Sequence, residues 1–328
     1  MVSKKPWIEE YRPQTPDKIL SHDTIKLSLN NFLKNGLLPN LLLCGNAGLG
    51  KTSMITTYAK LFYGDDFSNS VLIINASEER GIETIRKKIE PFCKTSTINN
   101  TSKLKFKLII MDETDSMTVD AQSILRKVVE KYISNVRFCF ICNYLKKINL
   151  SIQSRCTILK FKPISLNILE KYIIKICCIE KIKITQKAVD SIVIYCEGDL
   201  RKLLNILQSL NMNNNNNKLI KQNDVVKLIL FPSKKTILKY IEIINNNNLC
   251  ESFNIIKNNI CENDFILTEI INQYYDVIIN YLISEDYTYF SKDKMVNILK
   301  KIMIINENLN NCFRDDIQLI SFLSIFYL

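Results

Sequence analysis

Residues 41–52 read Leu41-Leu42-Leu43-Cys44-Gly45-Asn46-Ala47-Gly48-Leu49-Gly50-Lys51-Thr52. An unbroken apolar run precedes a glycine-rich turn, and a helical pattern to Phe62 follows it. The chain holds seven glycines in 328 residues, so three of them in one six-residue window is informative. Glycine lets the backbone wrap a phosphate chain with its N–H groups inward, at the positive end of the following helix. In the spacing GxxxxGK[ST], Lys51 adds a charge at the β- and γ-phosphates and Thr52 offers a hydroxyl to Mg²⁺. The stretch therefore predicts a strand, a phosphate loop and a helix.

Further apolar runs predict strands at Val71–Ile74, Phe106–Met111, Arg137–Cys142 and Thr157–Phe161, with helical patterns between them. Continuous apolar strands alternating with helices imply a parallel sheet covered on both faces. The third run ends in Asp112 and Glu113. Asp112 then falls near the metal, and Glu113 falls where a carboxylate polarises the water that attacks the γ-phosphate. Asn143 ends the fourth run, on the side of the sheet that faces a ligand crevice. An amide there can bond the attacking water and a phosphate oxygen. Pro163 and Pro232 bracket a helical segment that contains Asp199, a candidate cap for the apolar-faced helix after it. From 233 on, about four helices are expected, including Phe265–Ile283, Lys294–Ile305 and Ile317–Leu328.

The net charge of +11 is unevenly placed: residues 1–162 carry +10, 163–232 carry +4 and 233–328 carry −3. An anionic partner is expected for the first two thirds. No uncharged apolar run approaches the ~18–20 residues of a membrane helix, and the N-terminus has no signal-like stretch. The 11 cysteines are odd in number and lie mostly in apolar runs, which reads as reduced thiols. Cys139 and Cys142 have metal-ligand spacing, but no second pair matches them, and the single histidine, His22, is remote in sequence.

Seven stretches in order carry a resemblance: Pro6-Trp7-Ile8-Glu9-Glu10-Tyr11-Arg12-Pro13, the phosphate loop, Asn75-Ala76-Ser77-Glu78-Glu79-Arg80-Gly81-Ile82, Asp112-Glu113, Cys142-Asn143-Tyr144-Leu145, Ser154-Arg155-Cys156 and Gly198-Asp199-Leu200-Arg201. The chain resembles replication factor C small subunits, the AAA+ ATPases of the eukaryotic sliding-clamp loader, and most of all the smallest subunit type. The likeness is dense from 4 to about 212 and thin beyond. It implies an α/β fold: an AAA+ P-loop parallel-sheet domain over 1–162, a helical lid over 163–232 and an all-α collar over 233–328.

The resemblance also implies roles. Ile8, Arg12 and Leu20 wrap the adenosine; Gly45, Asn46, Ala47, Gly48, Leu49, Gly50, Lys51, Thr52 and Ser53 hold the phosphates; Asn143 and Arg201 contact the γ-phosphate. Thr52 and Asp112 hold Mg²⁺. Catalysis falls to Glu113, Lys51 and Asn143, with Arg155 reaching in trans into a neighbour's ATP site. Arg80, Arg86 and Lys87, followed by Lys88, face DNA by contacts that position without reading sequence. Four homologous subunits, a PCNA-type clamp and primer-template DNA are the implied partners, in the nucleus. Asn46-Ala47 replaces the usual prolines of the loop, and Thr114 departs from the usual Asp-Glu-Ala-Asp box. Two other readings are a nucleotide-binding structural subunit with little hydrolysis and an AAA+ DNA-remodelling motor.

Overall fold

The computed structural model describes residues 5–95, 106–213, 218–285, 287–309 and 315–327. Of the five consecutive asparagines at 213–217, those at 214–217 lie outside them. Contacts divide the chain into two compact units, one of residues 1–181 and 192–208, the other of 182–191 and 209–328.

The first unit is built on five parallel strands: β1 (Leu41–Cys44), β2 (Val71–Asn75), β3 (Lys107–Asp112), β4 (Val136–Cys142) and β5 (Thr157–Lys160). Their order is β2-β3-β4-β1-β5. Central strands β1, β3 and β4 are buried almost throughout, as continuous apolar runs require. The edges differ from the buried strands that the sequence predicts. β5 is exposed at three of four positions, and Ile73 of β2 is 47% exposed. Each edge strand lacks a neighbour on one side, and β5 has one face uncovered as well.

Register sets the site. Cys44 pairs with Cys142 and with Lys160, and Asn75 pairs with Asp112, so the carboxyl ends of the strands stand together. Around the sheet lie α1 (Asp23–Asn35), α2 (Lys51–Tyr63) and α3 (Val119–Lys131). Leu125, Val128 and Val129 of α3 share a buried cluster with Ile109, Phe138 and Phe140. Residues 82–94 run helically through a π-turn at Ile85–Ile89. Pro91 has no N–H to give the Lys87 carbonyl, so the regular ladder breaks there. Next come α4 (Leu166–Ile179), α5 (Gln186–Cys196) and α6 (Leu200–Asn213).

The second unit is helical, with α7 (Gln222–Ile229), α8 (Lys234–Asn246), α9 (Leu249–Asn263), α10 (Leu267–Ile283), α11 (Lys292–Leu309) and α12 (Asp315–Tyr327). Among the described residues, five helices follow residue 233, where the sequence suggests about four. The apolar end of the chain finds its cover largely within this unit. Leu319, Phe322, Leu323, Ile325 and Phe326 of α12 pack with Tyr274, Ile278 and Phe290. Ile317 and Ile320 stay about half exposed.

Candidate nucleotide site

The phosphate loop leaves β1 and enters α2 through two left-handed glycines, Gly48 (φ 70°) and Gly50 (φ 83°). Only glycine adopts that backbone without strain. α2 has no side-chain cap, so its first N–H groups face the loop. Lys51 is buried, and its ammonium folds onto the carbonyls of Gly45 and Asn46, each at 2.7 Å, and onto Asn143 Oδ1 at 2.9 Å. Burial pushes the ammonium below the ordinary lysine range, and the Asp112 carboxylate works against that shift. A buried cation held by neutral carbonyls is a site that gains from an anion.

The bond to Lys51 also fixes Asn143. An ammonium can only donate, so Oδ1 must face it and the amide N–H₂ is left for an acceptor. Two backbone bonds hold the end of β4 in place: Asn143 N and Tyr144 N each donate to the Asp115 carboxylate at 3.3 Å. Asp112 accepts from Thr52 Oγ1 at 2.7 Å and from Glu113 N at 2.9 Å. Glu113 has a left-handed backbone (φ 51°), and its carbonyl accepts from Ser116 N and Oγ. Such a conformation costs a non-glycine residue and recurs at functional sites. It leaves the Glu113 side chain exposed beside Asp112.

These groups line one cleft of about 280 Å³. Ile8, Arg12, Leu20, Ala47, Gly48, Leu49, Gly50, Lys51, Thr52, Ser53, Asp112, Glu113, Asn143 and Arg201 all border it. Gly45 and Asn46 sit behind it and act through their carbonyls on Lys51. Sequence reasoning missed Tyr11, Ile164, Tyr172 and Leu204, which also border the cleft. Tyr11 was legible only as part of the N-terminal stretch. Its hydroxyl donates to Glu180 at 2.5 Å, and Trp7 N donates to Gln208 Oε1 at 3.0 Å, so the stretch is tied at both ends.

Arg201 reaches the cleft because α6 begins against the loop. Leu200 N donates to the Gly48 carbonyl at 3.2 Å. Asp199 Oδ1 caps the helix, accepting from Arg201 N at 2.8 Å and Lys202 N at 3.1 Å.

Arg155 does not border the cleft of its own chain. Arg80, Arg86 and Lys87 lie exposed away from it, next to Lys88. Arg80 Nε donates to the Ser77 carbonyl at 2.8 Å, Lys87 pairs with Glu83 at 2.9 Å, and Lys88 pairs with Glu79.

The phosphates and a divalent ion fit this donor set. Thr52 and Asp112 supply one hydroxyl and one carboxylate, the sparse oxygen shell that Mg²⁺ takes alongside water and substrate phosphates.

Residues 41–164 match the model for the ATPase family associated with various cellular activities (AAA), and residues 232–324 match the replication factor C C-terminal domain. A probable replication factor C subunit 5 of Caenorhabditis elegans is 34% identical over 99% of this chain and 88% of its own length. Replication factor C subunit 5 of Homo sapiens is 45% identical over 64% of this chain and 62% of its own length. Among solved structures, the Thermotoga maritima RuvB Holliday junction branch migration motor superposes with a TM-score of 0.53 at 16% identity, over 84% of this chain and 92% of that one. At that identity the likeness speaks for the fold alone. With one relative aligned over 99% of the chain and both family models matched in sequence, the chain belongs to the replication factor C small subunits, the P-loop ATPases of the clamp loader.

Proposed function

We propose that this chain binds and hydrolyses ATP with Mg²⁺ as one of five homologous subunits that load a PCNA-type clamp onto primer-template DNA in the nucleus. One observation carries the reading: Lys51 and Thr52 at the start of α2, and Asp112, Glu113 and Asn143 at the ends of β3 and β4, line one cleft that Arg201 also borders. Apolar side chains Ile8, Leu20, Ile164 and Leu204 suit a base, and the loop N–H groups suit phosphates. Arg12 borders the same cleft beside them.

Glu113 accepts a proton from the attacking water, and Asn143 holds that water and a γ-phosphate oxygen through its amide. Lys51 turns from the loop carbonyls to the phosphates as they arrive. Bound Mg²⁺ supplies charge neutralisation on the phosphate oxygens. Arg155 serves an adjoining subunit's site, so the isolated chain turns over slowly. Arg80, Arg86 and Lys87 meet DNA phosphates, and the lid (163–232) and collar (233–328) carry nucleotide sensing and subunit packing.

The test separates binding from turnover. Lys51→Ala loses a charge-assisted contact worth about 1.5–3 kcal/mol, which is a roughly 10- to 150-fold weaker Kd for ATP by calorimetry. Glu113→Gln keeps the affinity and loses turnover. Equal affinity in Lys51→Ala and the parent chain refutes the phosphate assignment. Co-purification with four homologous chains and a sliding clamp tests the assembly. A parent chain whose site shows no turnover in the assembled complex would favour a nucleotide-binding structural role, and Glu113→Gln with unchanged turnover would refute the role of Glu113.

A further inference from the structure

Arg155 follows the short helix Leu150–Gln153. Its Nη1 donates to the Ser151 carbonyl at 2.6 Å and to Ser154 Oγ at 3.2 Å. Its Nη2 lies 2.6 Å from Glu130 Oε1. Glu130 stands in the last turn of α3, and Arg126, one turn earlier, approaches the same oxygen at 3.9 Å.

A guanidinium carries five N–H donors in one plane. These contacts engage Nη1 and Nη2. Nε–H makes no hydrogen bond among the described residues. The Nε edge of a guanidinium is where a phosphate is bound in a bidentate way. The contacts come from two elements, which fixes the plane of the group as well as its position. The frame between those elements is itself held: Gln122 of α3, 2% exposed, donates to the Lys147 carbonyl at 3.0 Å and accepts from Asn149 N at 2.8 Å. A pair as exposed as Arg155 and Glu130, 37% and 43%, adds little to stability, so orientation is the better account of it.

We propose that Glu130 is a positioning residue for Arg155, holding the guanidinium so that its open edge faces a phosphate of the nucleotide in an adjoining subunit. This rests on the reading of Arg155 as a group donated in trans. Glu130 Oε1 lies against Nη2 while Nε–H stays unbonded, so Glu130 need not let go when a phosphate arrives at that edge. Arg126 offsets the carboxylate's charge, which would otherwise repel that phosphate.

The assembled complex carrying Glu130→Ala, Glu130→Gln, Arg155→Ala or Glu130→Ala with Arg155→Ala decides it. ATP turnover at the adjoining site, its KM and the thermal midpoint of each complex are measured. Glu130→Ala lowers that site's kcat roughly three- to tenfold, because a small misplacement of a transition-state contact is costly, and leaves KM unchanged. Glu130→Gln, which keeps an oxygen acceptor, recovers at least half of the loss. With Arg155 already alanine, removing Glu130 costs nothing more. An unchanged kcat in Glu130→Ala, or an equal loss on the Arg155→Ala background, overturns the proposal while Arg155 keeps its role. An Arg155→Ala complex with parental turnover overturns the trans reading itself. If Glu130→Ala fails to assemble, Glu130→Gln stands in its place: a kcat below the parent's and above that of Arg155→Ala supports the role, and no change overturns it.

Discussion

His22 shows how one residue can carry two constraints at once. It precedes α1 with a left-handed backbone (φ 67°) and lies 4.6 Å from the Phe161 ring. Its Nε2 is buried without a hydrogen-bond partner among the described residues. Burial lowers its pKa, against a smaller opposing effect from a backbone bond at Leu49. A folded pKa below the unfolded one means that the unfolded chain takes up the proton more readily. The contribution is therefore complete above the unfolded value, about 6.5, and is lost as the pH falls below it. The thermal midpoint should fall on acidification from about pH 6.5, and His22→Asn should flatten that limb, since asparagine tolerates the backbone and does not titrate. An unaltered acid limb in the variant would count against the assignment. At this scale the sequence was readable wherever a residue type sits at a fixed spacing, as with Lys51, Thr52 and Asp112. It was silent on Tyr172 and Leu204, which reach the cleft from helices whose placement no local pattern encodes.

Between elements, the closest dependence is that of α6 on the phosphate loop. A Cβ at Gly48 would stand 1.7 Å from Asp199 Oδ1, the oxygen that caps α6. Asp199 cannot retreat without releasing Arg201 N and Lys202 N. Gly48→Ala therefore adds left-handed strain to the loss of a cap, together about 2–3 kcal/mol. The variant should melt earlier and also bind ATP more weakly, because Arg201 shifts with its helix. A lower melting point with unchanged ATP affinity would show that α6 does not report on the loop. The strands and α2 were legible from continuous apolar runs and glycine punctuation. The exposure of β5 at an edge was not, because an apolar run gives no sign of which strand ends the sheet. The π-turn at Ile85–Ile89 arises from Pro91, which the helical pattern alone conceals.

For the molecule as a whole, sequence order and spatial grouping part company. The helical unit takes 182–191 and 209–232 along with the tail, because contact follows burial and not position in the chain. Its tail half is also knit by polar bonds: Tyr327 Oη reaches the carbonyls of Ile244 and Asn247, both at 2.9 Å, and Ser252 Oγ at 2.6 Å. Deleting 233–328 removes the largest share of this core. The deleted chain should fail to enter the complex on size-exclusion chromatography while its nucleotide cleft, which lies wholly in the other unit, keeps its ATP affinity. A stoichiometric complex with the deleted chain would refute the packing role. The strap from Trp7 to Gln208 spans 201 positions and has a consequence for synthesis. At roughly 5–20 residues per second, a ribosome delivers Gln208 some 10–40 s after Trp7. Until then the wall made by Ile8 and Tyr11 has no anchor at its amino end. Nascent chains halted before residue 208 should leave the ribosome unable to retain ATP, so the chain is born without cargo and acquires it only once two thirds of its length has been made.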